Sequence, residues 1–197
     1  MLNIVLAGVG GQGTVLAAKV LAQAASEKGW KVRTAETIGM AQRGGSVISH
    51  VRMGNNGEDV YAPLVNTGAA AAVIAFEPAE GARALSYLKS EGVLVSAQTA
   101  LQPVTVALTG RSYDAAAILD QVEAQMLPGQ KLIRVDDRAL CAAAGNRKVL
   151  NMVLLAKAVA SGVLPLTIDD LCAAVAVCVK PQFVDMNVAA IRAAVAE

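Results

Sequence analysis

Four glycines near the start of the chain, Gly8, Gly10, Gly11 and Gly13, follow a short apolar run (Ile4, Val5, Leu6) and precede a proline-free, helix-like run from Val15 to Ala25. The first N–H groups of a helix have no partner within it and carry the positive end of its dipole. A glycine-rich turn feeding such a helix suits an anion, most often a phosphate. The spacing assigns a tight turn to Gly8, close backbone approach to a ligand to Gly10, and close helix–strand packing to Gly13. With the helix starting near Gln12, the candidate phosphate-facing residues are Gly8, Gly10, Gly11, Gln12, Gly13 and Thr14. A lone G-x-G-x-x-G is a weak signal, because such turns also serve only to pack a helix on a sheet. The strand before it and the helix after it supply the context that the phosphate reading requires.

A second glycine-rich stretch follows the next apolar segment: T-I-G-M-A-Q-R-G-G-S, Thr37 to Ser46. An arginine in such a loop can swing over the first turn and pair bidentately with phosphate. Gln42, Arg43, Gly44, Gly45 and Ser46 are therefore the candidate closing loop; a surface arginine on a mobile loop is the plain alternative. Glu36 lies 23 residues past Gly13, near the spacing of about 20 at which an acid binds the ribose in dinucleotide folds.

No nucleophile–base arrangement is legible, and no residue is assigned a catalytic role. The single histidine, His50, reads as a satisfied structural residue, since a catalytic one needs an orienting partner. Glu77 and Glu80 open a helix, where the N-terminal dipole explains carboxylates. Cys141, Cys172 and Cys178 show no metal-ligand spacing; the last two sit about 240° apart on a helix of ~3.6 residues per turn. They read as free buried thiols in a reducing compartment. A cluster needing about four positioned thiolates is excluded for this chain alone, and no metal site is expected.

Composition narrows the class. A formal net charge of +1 with no basic run gives no electrostatic case for nucleic acid. With 55% hydrophobic and only 17% charged residues, part of the surface is expected to be covered by another subunit. The uncharged window Gly92 to Gly110 holds Gln98, Gln102, Pro103 and three threonines and reads as strand, turn, strand, not as a membrane span. The N-terminus lacks a basic lead, so a cytoplasmic location is expected.

The elements that must position these residues alternate. Strands are expected at the N-terminus, Lys31 to Glu36, Ala72 to Phe76, Gly92 to Ala97, Thr105 to Leu108 and Lys131 to Val135. Helices are expected over Val15 to Ala25, Glu77 to Lys89 and Asp114 to about Met126, with Asp136 and Asp137 as caps for the next. Ser46 to Met53 alternates as a strand, and Gly54-Asn55-Asn56-Gly57 signals a hairpin returning through Asp59 to Leu64. From Gly145 onward only helices are expected, over Arg147 to Ser161, Ile168 to Val179 and Pro181 to about Glu197. The fold class is α/β: a Rossmann-like, doubly wound, mostly parallel sheet with a β-hairpin insertion and a C-terminal helical segment. One domain spans 1–197, with an α/β core at 1–144 and a helical extension at 145–197.

Several motifs in order carry a family resemblance: G-V-G-G-Q-G (Gly8–Gly13), E-T-I-G-M-A-Q-R-G-G-S-V (Glu36–Val47), S-H-V-R (Ser49–Arg52), A-F-E-P (Ala75–Pro78) with Glu80 and Arg83, and G-N-R-x-x-x-N-M (Gly145–Met152). Together they resemble the gamma-type subunit of 2-oxoacid:ferredoxin oxidoreductases. The M-A-Q-R-G-G-S form is most similar to the beta subunit of the indolepyruvate enzymes. The resemblance implies a subunit of an enzyme that oxidatively decarboxylates a 2-oxoacid to an acyl-coenzyme A. Thiamine diphosphate and 4Fe–4S clusters would lie on a catalytic alpha subunit, with ferredoxin taking the electrons. This chain would contribute coenzyme A binding, the glycine turn and the Arg43 loop cradling its phosphates, and would not be active alone. A self-sufficient NAD(P)- or flavin-dependent oxidoreductase is the alternative, as is a turn that binds nothing.

Overall fold

The computed structural model describes residues 1–39, 44–101 and 114–196. In chain order the elements are β1 (Leu2–Val9), α1 (Thr14–Glu27), β2 (Lys31–Ile38), β3 (Ser46–Gly54), β4 (Ala70–Ala75) and α2 (Pro78–Ala84). A 3₁₀ turn (Leu85–Tyr87), β5 (Leu88–Ala97), α3 (Ala115–Gln125), β6 (Lys131–Val135) and α4 (Asp137–Ala143) follow. A second 3₁₀ turn (Arg147–Val149) leads into α5 (Leu150–Ala160), α6 (Ile168–Cys178) and α7 (Pro181–Val195).

The strands form one sheet in the order β2-β3-β1-β4-β5-β6. β1, β4, β5 and β6 are parallel neighbours, whereas β3 runs against both β1 and β2. Successive side chains of a strand point to opposite faces, so a strand that buries consecutive residues must be covered on both. Ile4, Val5, Leu6 and Ala7 of β1 are fully buried, and every residue of β4 is buried. One face packs Ile4, Leu6, Ile74 and Val95 against α1, α4, α5, α6 and α7. The other packs Val5, Val73 and Leu94 against α2, the first 3₁₀ turn and Val122 of α3.

The C-terminal helices cover a face of the sheet. α5 touches β4 and β5 beneath it and α1, α6 and α7 around it. All of its residues except Lys157 and Ala160 are buried, as expected of a helix apolar all round. A capping box at Thr167 and Asp170 starts α6. No helix among the described residues is long and apolar enough to cross a membrane.

Three expectations are corrected. The hairpin is formed by β2 and β3, not by β3 and the segment 59–64, because both edges of β3 are already taken by β1 and β2. The turn at Gly54–Gly57 forms, but side chains hold the returning segment. Arg52 donates to the carbonyls of Ala62 (2.8 Å) and Leu64 (3.4 Å), and His50 Nδ1 accepts from Val65 N–H (3.3 Å). The helix expected to reach Lys89 ends at Ala84, since Leu88 pairs with Ala70 and starts β5. Leu88 folds over Gly92, where a Cβ would meet its side chain at 2.6 Å. Finally, α1 begins at Thr14 rather than near Gln12. The strand expected at Thr105 to Leu108 lies outside the described residues.

Candidate functional site

α1 leaves the C-terminal end of β1 toward one face of the sheet, and α2 leaves the adjacent, parallel β4 toward the other. Where neighbouring crossovers part in this way, a crevice opens beyond the strand ends, and ligands of open α/β sheets bind there. The glycine turn sits on that crevice.

Gln12 builds the turn. Its Oε1 accepts from Val9 N–H (2.7 Å) and its Nε2 donates to the carbonyl of Phe76 (2.8 Å), tying the ends of β1 and β4 together. Gly8 lies within β1 and makes room for this side chain: a Cβ there would stand 2.9 Å from Gln12 Oε1, Phe76 Cβ and Thr14 Cγ2. Gly13 occupies the position before the helix with φ 84°, a left-handed conformation open to glycine, and its bare Cα admits Asn151 Nδ2 from α5. Gly10 N–H donates to the carbonyl of Gly45 (2.9 Å). The expected division of labour is therefore revised. Gly8 accommodates packing, Gly10 receives the second glycine loop, and Gly13 admits α5 as well as turning the chain.

Among the described residues no side chain caps the start of α1. Gln12 has spent its polar atoms on the turn, and Thr14 is buried against Gly8. The polar side-chain atoms of the turn are thus engaged within the protein, and the backbone at Gly11 and Gly13 borders open space. A crevice of about 440 Å³ opens there, lined by Gly11, Gln12, Gly13, Leu16, Leu101, Arg147, Lys148, Leu150 and Asn151.

The Gly10–Gly45 bond brings the second loop to the first. Gly39 N–H donates to the carbonyl of Ser46 (2.8 Å), and Ser46 Oγ donates to Glu80 Oε2 (2.6 Å). Glu80 is buried and pairs with Arg83. Glu77 caps α2, its carboxylate accepting from Glu80 N–H (3.1 Å). Both carboxylates thus hold elements in place, and the Ser46 hydroxyl proton goes to Glu80. Gln42 and Arg43 lie outside the described residues.

Sequence reasoning missed the cationic side of the crevice. Arg147 Nη1 pairs with Asp137 Oδ2 (3.3 Å), and Asp137 is fully buried. The other Asp137 oxygen accepts the N–H groups of Gln98 and Thr99, each at 2.9 Å. One carboxylate therefore fixes the chain after β5, the start of α4 and the Arg147 side chain. Lys148 is exposed beside it. Arg147 and Asn151 stand i, i+4 across the start of α5, which puts them on one side of it; that spacing was the available signal.

Glu36 is not brought to the turn. It faces solvent on edge strand β2, with all of β3 between it and β1, about 10 Å away at ~4.8 Å per strand. It pairs with Ser49, which pairs with Leu6, so it stands two residues below Gly8. The inserted strand removes the geometry by which an acid reads a ribose. His50 is buried, accepts from a backbone N–H and meets the Tyr87 ring edge-on at 5.5 Å; burial lowers its pKa. The three cysteines are free, with thiol pKa values raised by burial. Among the described residues, no group of three or more His, Cys, Asp or Glu could hold a metal ion.

Known proteins resemble this chain in sequence and in fold. The chain is 36% identical over 188 residues to the indolepyruvate oxidoreductase subunit IorB of Pyrococcus horikoshii, covering 95% of this chain and 91% of that one. The keto/oxoacid ferredoxin oxidoreductase gamma subunit of Geobacter sulfurreducens shares the fold with a TM-score of 0.70 at 22% identity, covering 99% and 96%. The 2-oxoglutarate:ferredoxin oxidoreductase of Magnetococcus marinus, solved with 2-oxoglutarate, coenzyme A and succinyl-CoA bound, matches at a TM-score of 0.72 and 17% identity. That match covers 98% of this chain and 30% of the larger one. Residues 3–197 match the family described as pyruvate ferredoxin/flavodoxin oxidoreductase, and with a crossover crevice, paired glycine loops and relatives aligned almost end to end, the chain belongs to that family.

Proposed function

We propose that this chain is a non-catalytic but required subunit of a thiamine-dependent indolepyruvate (aryl-2-oxoacid):ferredoxin oxidoreductase. It acts as one gamma-type domain, residues 1–144 forming the core and 145–197 the helical cover. Its part is to hold the phosphates of coenzyme A. The observation that carries this part is the start of α1, uncapped by any side chain among the described residues and opening onto a crevice with Arg147 and Lys148. Oriented N–H groups and a helix dipole stabilise phosphate without reorganising. Gly11 and Gly13 let the ligand approach the backbone, Gly44 and Gly45 shape the facing loop, and Arg43 pairs with the phosphate from that loop.

Three scattered thiols do not suit an iron–sulfur cluster, so the cluster sites are assigned to the partner, together with thiamine diphosphate. Bound there, thiamine supplies the carbanion chemistry of decarboxylation, and the clusters pass electrons to ferredoxin. In the complex reconstituted with its catalytic partner, Arg43→Ala is expected to raise the KM for coenzyme A about tenfold or more, as expected from losing a charge-assisted pair. Coenzyme A-independent decarboxylation should keep its rate. Unchanged coenzyme A kinetics would contradict the role.

A further inference from the structure

Asn151 is 3% exposed. Its Oδ1 accepts from Met152 N–H (3.0 Å), while among the described residues its Nδ2 has no acceptor. That nitrogen reaches over Gly13, where a Cβ would stand 2.9 Å from it, at the wall of the crevice above α1. An amide donor held in place on a largely buried side chain and left without a protein acceptor is available to a ligand. One that opens onto a crevice is satisfied by what enters. On the same wall stand Arg147, aimed by the buried Asp137 carboxylate, and Lys148, which makes no ion pair among the described residues. Across from them are the N–H groups that begin α1. Lys148, an Arg147 fork already turned by Asp137, a neutral donor and a helix start, with no carboxylate among the described residues that line the crevice, offer several donors at once and suit an anion with several acceptor oxygens.

We propose that Arg147, Lys148 and Asn151 form a second anion-binding wall which, with the first turn of α1, clamps a diphosphate group from the side opposite the Gly44–Ser46 loop. The inference rests on the reading of this crevice as a phosphate site and adds the residues and the charge that it reads. Arg147 is the oriented, fork-shaped donor, Lys148 the mobile point charge, and Asn151 the fixed donor at the floor. Coenzyme A and dinucleotides both present a diphosphate, so the ligands must be tried separately.

The test is calorimetric titration of the full chain with inorganic pyrophosphate, coenzyme A and NADH. The variants are Lys148→Glu and Arg147→Gln, with Lys89→Glu, a surface change near the opposite end of β5, as the control. The expected result is binding of pyrophosphate and coenzyme A by the unaltered chain and by Lys89→Glu. Each of the other two variants should bind both at least tenfold more weakly, with the melting temperature of Lys148→Glu unchanged. Lys148 is exposed, so its variant decides the matter even if Arg147→Gln unfolds by stranding Asp137. Coenzyme A binding untouched in both variants would overturn the wall and leave the coenzyme A reading standing. Pyrophosphate binding that the variants lose, in a chain that takes NADH and not coenzyme A, would support the wall and refute coenzyme A. No binding of any of the three by the unaltered chain overturns both.

Discussion

Gln12 shows how one side chain can set a site without touching a ligand. Its amide joins the last N–H of β1 to the carbonyl that follows β4, so the crevice mouth is as rigid as that bridge. Gln12→Ala strands both backbone groups and should destabilise the chain by about 1–3 kcal/mol. The change would be read as a lower urea midpoint with an unchanged slope; an unchanged midpoint would show that the bridge contributes nothing. His50 offers a pH prediction. Burial lowers its pKa below the usual 6.5, so the unfolded chain binds its proton more readily than the folded one. Stability should therefore fall as pH drops below about 6.5 and level off once pH passes the lower folded value. Glu58, held down to about 2 by the chain's amino terminus, works in another window. Its contribution is complete above about 4.5 and is lost toward 2, leaving pH 5 to 6.5 to the histidine. His50→Gln should flatten unfolding free energy across that interval, and an undiminished slope would assign it to another group.

At the scale of elements, the glycine loops are held by α2. Glu80 accepts from Ser46, whose carbonyl accepts from Gly39, and Gly45 accepts from Gly10. Glu80→Ala should release this chain of contacts at a cost of about 1 kcal/mol, speeding hydrogen exchange at the Gly10 and Gly39 amides roughly fivefold. Exchange left at the parent rate would mean that the loops hold themselves. What was legible in the sequence divides along the same line. β1, β4 and the C-terminal helices are read from apolar runs and local caps, such as Thr167 with Asp170. The β2–β3 hairpin was not, although Gly54-Asn55-Asn56-Gly57 is the strongest turn signal in the chain. A turn residue specifies a reversal, while the strand that fills each edge of β3 is decided by distant partners. For the same reason the glycine turn was found and Arg147 was not. The turn is a local pattern, whereas Arg147 gains its place from Asp137 and from a crevice whose other wall is more than a hundred residues away in the chain.

For the whole molecule, much of the apolar excess that suggested a covered surface is spent internally, in central strands buried on both faces and in α5, enclosed by the sheet and four helices. What remains distinctive is the placement of charge. The sheet carries an uncapped helix start and two cations at the mouth of its crossover crevice, while the protein as a whole is nearly neutral. A local field of this kind focuses an anionic ligand without making the chain a general polyanion binder. Its relatives are named as subunits, and the described residues offer no cluster of metal ligands. The function proposed above makes this crevice a phosphate seat that a second polypeptide completes. The structure of the chain assembled with its catalytic partner and coenzyme A tests this most directly. The account predicts a coenzyme A phosphate within hydrogen-bonding distance of the N–H groups that open α1. Coenzyme A held wholly by the partner, with its phosphates away from Gly11, Gly13 and Thr14, would contradict it.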